Sequence, residues 1–557
     1  MKLRNIILSF SLLLVVLVAL VSCKKGAFDI NKNPNTPTEN TISYSVILPS
    51  ALNNTGRILA LQTATLQNYL SFWARSGTYA PNSDEESYNV TPTSGPVGGL
   101  WTALYDNLFD YETMRKKAEA GGADFYSGIA RIMKVHNYSL LVDVYGNVPY
   151  NEALLGAANI TPKYDKGNVI YQDLFLELDK GIALIKGASN NITGANKNIV
   201  NDDIFFSTAT TALSSANIDA QKVKWTKFAN ALRLRMLVHL MNGGVKFAAG
   251  STNVAVPESV TTGFNIAAEI AKINATGAGY ITIGTDVEAN PGYRADKPNP
   301  FFNAYVRDAS NTVTGNSQYY KANKSGIAMY DGNADPREAR FYIAGGLGFK
   351  GVDYGAPSIT DNSAANLAGI GEGVYRGNDK PQFIFTSAEC QFLIAEATHR
   401  GFLPGGAVAA KAALATGVAE SFRSVGAAAT SAAYITGNTG YPDVDYNVTT
   451  PAVPNQAIGG LYTIISQKWF ALNGIAPFEV WSDYRRVDYS AAVKHFRYGL
   501  AGGYNEIPQI SVSPTNTKTE IIVRYPYPQN EFLYNPTSVG AQGPVNVFST
   551  KIFWDLN

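Results

Sequence analysis

The sequence predicts a mainly α fold: a scaffold of paired helices of tetratricopeptide-like type that carries long irregular loop insertions and few short strands. Three stretches predict it. In SGIARIMKVHNYSLLVDVYGNVPY, Ile129, Ile132, Met133, His136 and Leu140 recur at i, i+3, i+4, i+7 and i+11, one stripe of a helix, and Gly146 and Pro149 end it. In WTKFANALRLRMLVHLMNGG, which starts at Trp225, the residues Phe228, Leu232, Met236 and Leu240 face inward and Gly243-Gly244 is the stop. In TSAECQFLIAEATHRGFLPGG, Thr386 and Glu389 form an S/T-x-x-E capping box and Gly401 closes the helix. The alanine-rich GAVAAKAALATGVAESF follows, and its small side chains let two helices approach closely. Together they read as an antiparallel hairpin, the unit of tetratricopeptide-like stacking, although no clean self-similarity at about 34 residues accompanies it.

From the N-terminus, Lys2 and Arg4 precede Ile6 to Val21, an apolar run of sixteen residues broken only by Ser9 and Ser11, and the small Ser22 follows. This is the three-part pattern of a secretory signal, and the run is short against the roughly 20 residues of a membrane-spanning helix. Leu20-Val21-Ser22-Cys23 resembles the lipobox of bacterial lipoproteins, which implies that Cys23 is acylated and becomes the first residue of a tethered mature chain. Residues 1–22 are thus expected to be the signal, 23–47 a lipidated spacer and 48–557 one body. Helical patterning starts near Leu48. Gly77 to Val97 reads as a long loop holding Tyr79 and Tyr88, and Trp101 to Lys117 as helix. Residues 251–373 turn to Gly, Asn, Thr and aromatics without sustained period, a loop-rich insertion in which Asp335-Pro336-Arg337 marks a helix start. The last helices are LYTIISQKWFALNG and FEVWSDYRRVDY, after which IIVRYPYPQNE is extended.

Composition narrows the function. The 557 residues carry a formal charge of +1, so no basic field marks a nucleic-acid partner. Of the two cysteines only Cys390 is left once Cys23 carries lipid, so folding rests on packing and not on a disulfide. Enzyme signatures are missing: there is no HExxH, GxSxG or Walker A, and only four histidines. Gly346 to Gly351 matches GxGxxG, but without a strand before and a helix after it reads as a glycine loop. His136 lies on an apolar stripe and reads as a hydrogen-bonded core histidine. Glu389 and Glu396 share one helix face; the first reads as a cap and the second as the partner of a buried arginine such as Arg485 or Arg486. No cofactor or metal is expected, and Asp84-Glu85-Glu86 reads as a solvated loop in preference to a Ca²⁺ site. The surplus is aromatic, with 32 tyrosines, 26 phenylalanines and 6 tryptophans beside only 16% charged residues. Most of these rings pack helices, and a ligand platform needs only a few.

An ordered set of motifs runs nearly the length of the chain: DINKNPN (Asp29 to Asn35), DVYGNVPYNEAL (Asp143 to Leu154), KWTKFANALRLR (Lys224 to Arg235), SAECQFLIAEA (Ser387 to Ala397), QKWFALNG (Gln467 to Gly474), EVWSDYRR (Glu479 to Arg486), RYPYPQNE (Arg524 to Glu531) and FWD (Phe553 to Asp555). With the lipobox, this set resembles the SusD/RagB family of outer-membrane nutrient-binding lipoproteins. The resemblance implies degenerate tetratricopeptide-like helix pairs at the outer face of the outer membrane. It also implies a TonB-dependent barrel transporter, SusC-like, as partner and an oligosaccharide or peptide as ligand, with no chemistry performed. It does not transfer the binding residues, which belong to variable loops. There the physics of a sugar, a flat apolar ring face bordered by hydroxyls, points to exposed aromatic planes beside Asn, Asp or Arg. Trp73, Tyr79, Tyr88, Tyr293 and Tyr319 are the expected planes, with Arg75 and Arg294 as polar partners. The rival reading is a helical glycoside hydrolase acting through a carboxylate pair across a cleft.

Overall fold

The computed structural model describes residues 42–207, 211–241, 265–449, 459–487, 496–500 and 503–555, with the backbone alone in the strands at 496–500 and 503–507. The signal, Cys23 and the spacer to Thr41 lie outside the described residues, as do Gly243-Gly244, residues 251–264 of the expected insertion, and Asp488-Tyr489. The chain divides into Met1–Ser43 and Tyr44–Asn557, and the second unit is the body described below.

Among the described residues ten helices reach ten residues or more: α1 (Tyr44–Leu61), α2 (Gly95–Ala120), α3 (Asp124–Tyr145), α4 (Gly167–Gly187), α5 (Ser215–Leu240), α6 (Ile266–Ala275), α7 (Ser387–His399), α8 (Gly406–Val425), α9 (Gly460–Leu472) and α10 (Pro477–Arg486). They pack in sequence order, α1 on α2, α2 on α3, α3 on α4 and α4 on α5, then α7 on α8 and on α9, while α5 also meets α7. This is the mainly α, tetratricopeptide-like scaffold that the apolar stripes predict. The described strands form only two-stranded antiparallel pairs.

Small residues set how closely the pairs approach. A Cβ on Gly128 of α3 would meet the Gly181 carbonyl oxygen of α4 at 2.8 Å. A backbone atom cannot swing aside, so Gly128→Ala is expected to lose about 1–3 kcal/mol despite alanine's better helix propensity. A lowered urea midpoint with unchanged slope would show it; an unchanged or raised midpoint would refute the close crossing. In α8, a Cβ on Gly417 would lie 2.7 Å from the Phe392 ring of α7, which is the close approach expected of that hairpin.

Between the helices runs a buried charge network. Arg486 holds Glu396 through two 2.6 Å hydrogen bonds and Asp483 at 2.5 Å, and Arg400 adds a 2.8 Å bond to Glu396. The expected pairing of Glu396 is therefore met by Arg486. Arg485 instead donates to the backbone carbonyls of Asp143 and Val523 and lies over the Trp481 and Trp554 rings. The capping box is only half formed. Thr386 Oγ1 accepts from the Glu389 N–H, but the Glu389 carboxylate turns to Arg235 at 2.6 Å, because a buried carboxylate gains more from a cation than from a backbone N–H.

His136 is the core histidine expected of it, buried and 3.0 Å from Asn137 Oδ1, and burial lowers it to about 4. His239 behaves oppositely. Burial opposes its charge, but Glu479 at 3.1 Å and Asp143 at 3.3 Å outweigh burial and raise it to about 8. A raised value means that its stabilisation is complete below the unfolded pKa near 6.5 and lost as pH rises through about 8, roughly 2 kcal/mol in all. His239→Gln should abolish this part of the alkaline decline. Urea midpoints of both proteins at pH 6 and pH 9 check it, and an equal decline in the two would contradict it.

Other expectations are corrected. The first helix begins at Tyr44, ahead of Leu48. Helix α2 begins at Gly95 with Pro96 in its first turn, so it extends well before Trp101. Asp335 stands further ahead of its helix than expected, since Arg337 is the N-cap residue, although the Asp335 carboxylate still accepts from a backbone N–H at the helix start. Its carboxylate grips the Arg337 side chain and N–H, and the helix that follows is a single turn, Glu338–Phe341. Short helices at Pro300–Tyr305, Gly315–Tyr319 and Lys324–Gly332 punctuate the insertion. Gly345 to Gly348 is a glycine turn, closed by paired backbone hydrogen bonds.

Candidate functional site

Two loops far apart in sequence are joined by one ribbon. Strand β1 (Trp73–Arg75) pairs antiparallel with β2 (Tyr320–Ala322), in the register Trp73 to Ala322 and Arg75 to Tyr320. Trp73 is fully buried, with its ring 5.5 Å from Tyr305 and 5.6 Å from Tyr320. From there rings lead outward: Tyr320 to Tyr319 at 4.8 Å, then Tyr319 to Tyr79 at 5.2 Å, both edge-on. Tyr79, Tyr319 and Tyr320 are half-buried, so the stack begins in the core and ends in solvent.

Arg75 fixes the Tyr79 end of this stack. Buried, it pairs with Glu86 at 2.5 Å and donates to the Tyr79 and Ala356 carbonyls, each at 2.7 Å, and to Ser358 Oγ. Ser358 Oγ in turn donates to the same Tyr79 carbonyl at 2.7 Å. The other end is tied by Ser76, whose N–H and hydroxyl donate to the Tyr319 and Gln318 carbonyls, both at 2.8 Å. The Tyr79 hydroxyl donates to the Gly315 carbonyl at 3.2 Å. The exposed Asn82 and Gln318 flank the rings, with the Asn82 amide near the Tyr319 hydroxyl. Burial and the nearby Glu85 and Glu86 push that hydroxyl up to about 12, so it stays a neutral donor across the physiological range.

Of the seven expected binding residues, Tyr79 and Tyr319 come together at the surface. Trp73 and Arg75 belong to the same assembly but lie beneath it, where neither a ring face nor a guanidinium is open to a ligand. Tyr88 is also buried. It sits at a φ of 56°, a strained value for an aromatic residue, and its hydroxyl accepts from the Ser511 N–H. Tyr293 is buried and donates to Asn53, while Arg294 is exposed and pairs with Asp296 two residues on. The acidic run is no solvated loop as a whole. It forms the helical turn Ser83–Glu86, in which Asp84 is exposed, Glu85 accepts from Asn68 and Glu86 is buried against Arg75. Tyr320 and Asn82 escaped the sequence reading. The Tyr319-Tyr320 doublet was a signal for Tyr320, whose ring meets that of Tyr319 where the helix Gly315–Tyr319 passes into the strand; nothing local marked Asn82.

Two other sites assemble titratable groups. Beside His239, Asp143, Arg235 and Glu479 surround a space of about 40 Å³, room for little more than a water, and each is engaged in the network above. A cleft of about 540 Å³ lies between Phe206, Lys224, Lys227, Asp286 and Glu288. Its carboxylates are paired with Arg423 and Arg376, and its lysines donate to the Phe206 carbonyl and to Thr282. Among the described residues no helix is long and apolar enough to cross a membrane.

Comparison with known proteins agrees with this architecture. Solved structures that match include a chitin-binding SusD homologue from Flavobacterium johnsoniae, 21% identical with a TM-score of 0.66, the match covering 92% of this chain and 99% of that one. A SusD/RagB family protein from Bacteroides thetaiotaomicron is 19% identical with a TM-score of 0.66, covering 93% and 99%. A SusD homologue from Bacteroides fragilis is 18% identical with a TM-score of 0.64, covering 92% and 99%. No curated protein matches the sequence. The SusD-like family model described as starch-binding associating with outer membrane matches residues 34–528, nearly the whole chain, and the protein belongs to the SusD-like family.

Proposed function

We propose that the protein is a cell-surface binding lipoprotein of the outer membrane that captures oligosaccharide and passes it unaltered to a TonB-dependent barrel transporter. The observation that carries this reading is the Tyr79–Tyr319–Tyr320 face, half-buried rings held on a rigid floor and bordered by Asn82 and Gln318. A pyranose stacks its C–H face on such rings and spends its hydroxyls on the flanking amides, while the buried Arg75 and Trp73 keep the face preorganised. The family's description as starch-binding and the chitin-binding relative support a glycan over a peptide. Against a hydrolase, both Glu389 and Glu396 are buried in ion pairs with arginines, and the Glu396 carboxyl is held well below the usual range despite its burial.

The test is retention. The purified body should be retarded on immobilised neutral polysaccharide while releasing neither reducing ends nor peptides. Steady release of sugar would instead favour the hydrolase. Anchoring is checked separately: Cys23→Ser in the full chain should move the protein from the membrane pellet to the soluble fraction, because acyl chains at about 0.8 kcal/mol per buried methylene hold it there. A variant still wholly in the pellet would sink the lipoprotein reading.

A further inference from the structure

Next to the tyrosine face lies a pocket of about 220 Å³ that the stacking argument does not use. Asn82 belongs to both, since it lines the pocket and lies near the Tyr319 hydroxyl. Asp84, Glu85, Asn89 and Ser94 are its other polar lining residues, and the buried Tyr69 and Tyr525 also border it. Three features of this pocket point to a ligand. Tyr525 lines the pocket with its side chain only 1% exposed, and its buried hydroxyl finds no hydrogen-bond partner among the described residues. The volume falls below the roughly 300–1,000 Å³ of pockets that hold a whole small ligand, so it suits one terminal ring of a longer molecule. The lining carries two carboxylates and neither lysine nor arginine, and Arg75, whose partner Glu86 follows the lining residue Glu85, is already paired.

We infer that this pocket takes the end unit of the chain lying on Tyr79 and Tyr319, and that it selects an uncharged, hydroxyl-rich sugar while excluding uronates and sulfated sugars. The inference rests on the glycan-binding reading above and narrows it. Carboxylate and amide oxygens accept from sugar hydroxyls. An anionic unit would set its charge against Asp84 and Glu85 with no cation to offset the repulsion.

Isothermal titration of the full body tests it, with maltohexaose, cellohexaose and the N-acetylglucosamine hexamer against galacturonate hexamer at low salt. The best neutral hexamer is expected to bind at least about tenfold tighter than the acidic one, a gap that narrows as salt screens the charges. Asp84→Lys with Glu85→Gln should raise affinity for the acidic hexamer by about tenfold, since a repulsive charge becomes an attractive one. Tyr79→Ala should instead weaken every hexamer that binds. If the native protein binds no hexamer, the glycan reading falls and takes the pocket with it. If hexamers bind and depend on Tyr79, but the acidic one binds as tightly as the neutral, or the charge variant leaves the gap unchanged, the pocket assignment alone is overturned.

Discussion

Replacing Arg486 by alanine is expected to destabilise the body by about 3–5 kcal/mol, more than any other single substitution considered. The side chain is fully buried on α10 and holds Glu396 of α7 through two hydrogen bonds, together with Asp483 on its own helix. Without it, among the described residues Glu396 retains only the Arg400 side-chain bond and Asp483 only Lys468 at 3.2 Å. Two carboxylates are then under-compensated in a site that water does not reach. The sign with pH follows. Burial raises the Glu396 carboxyl, but Arg486 and Arg400 overcome that and hold it well below 4.5. Its contribution is therefore complete above pH 4.5 and is lost as pH falls toward the depressed value. The deficit of the variant should begin to shrink below pH 4.5, by about 1.4 kcal/mol per pH unit, so that it is smaller by about that amount at pH 3.5 than at pH 7. Urea titrations at pH 7 and pH 3.5 check this, and a deficit under 1 kcal/mol at pH 7 would mean that the pair is replaceable.

The largest effect on binding is expected from the double variant Tyr79→Ala with Tyr319→Ala. The two rings stand edge-on at 5.2 Å over a floor continuous to the buried Trp73, a central and rigid placement of the kind that dominates binding energy. Affinity for a retained glycan should fall by at least about 2 kcal/mol, roughly thirtyfold. Because both rings are half-buried at the surface, thermal stability should change far less. Tyr79→Phe should bind nearly as well as the native protein, since it keeps the ring and loses only the bond to the Gly315 carbonyl. Full retention by the double variant would remove the face from the binding site.

The aromatic candidates show how far local sequence reaches. Trp73 and Tyr79 lie in one eight-residue stretch, FWARSGTY, and nothing in their composition separates the floor from the face. The pairing of β1 with β2 does, because it turns Trp73 toward Tyr305 and leaves the loop after Arg75 at the rim. Arg75 misled for the same reason. An arginine in a loop is expected in water, yet this one is buried by Glu86 and by the Ala356 carbonyl, 281 residues away. Tyr293 and Arg294 were grouped with the platform by composition alone, and each is committed to a partner elsewhere.

What the sequence by itself determined is the class and order of the helices, the neutral character of the body, and the need of Glu396 for an arginine. Apolar period, capping residues and the cost of a buried charge are local or pairwise facts, and they hold wherever the chain goes. The tertiary structure alone decided which tyrosines meet, which guanidinium is spent on holding a loop, and that a polar pocket opens beside Asn82. Those outcomes depend on contacts between segments more than two hundred residues apart, whose geometry is fixed only when the whole core packs.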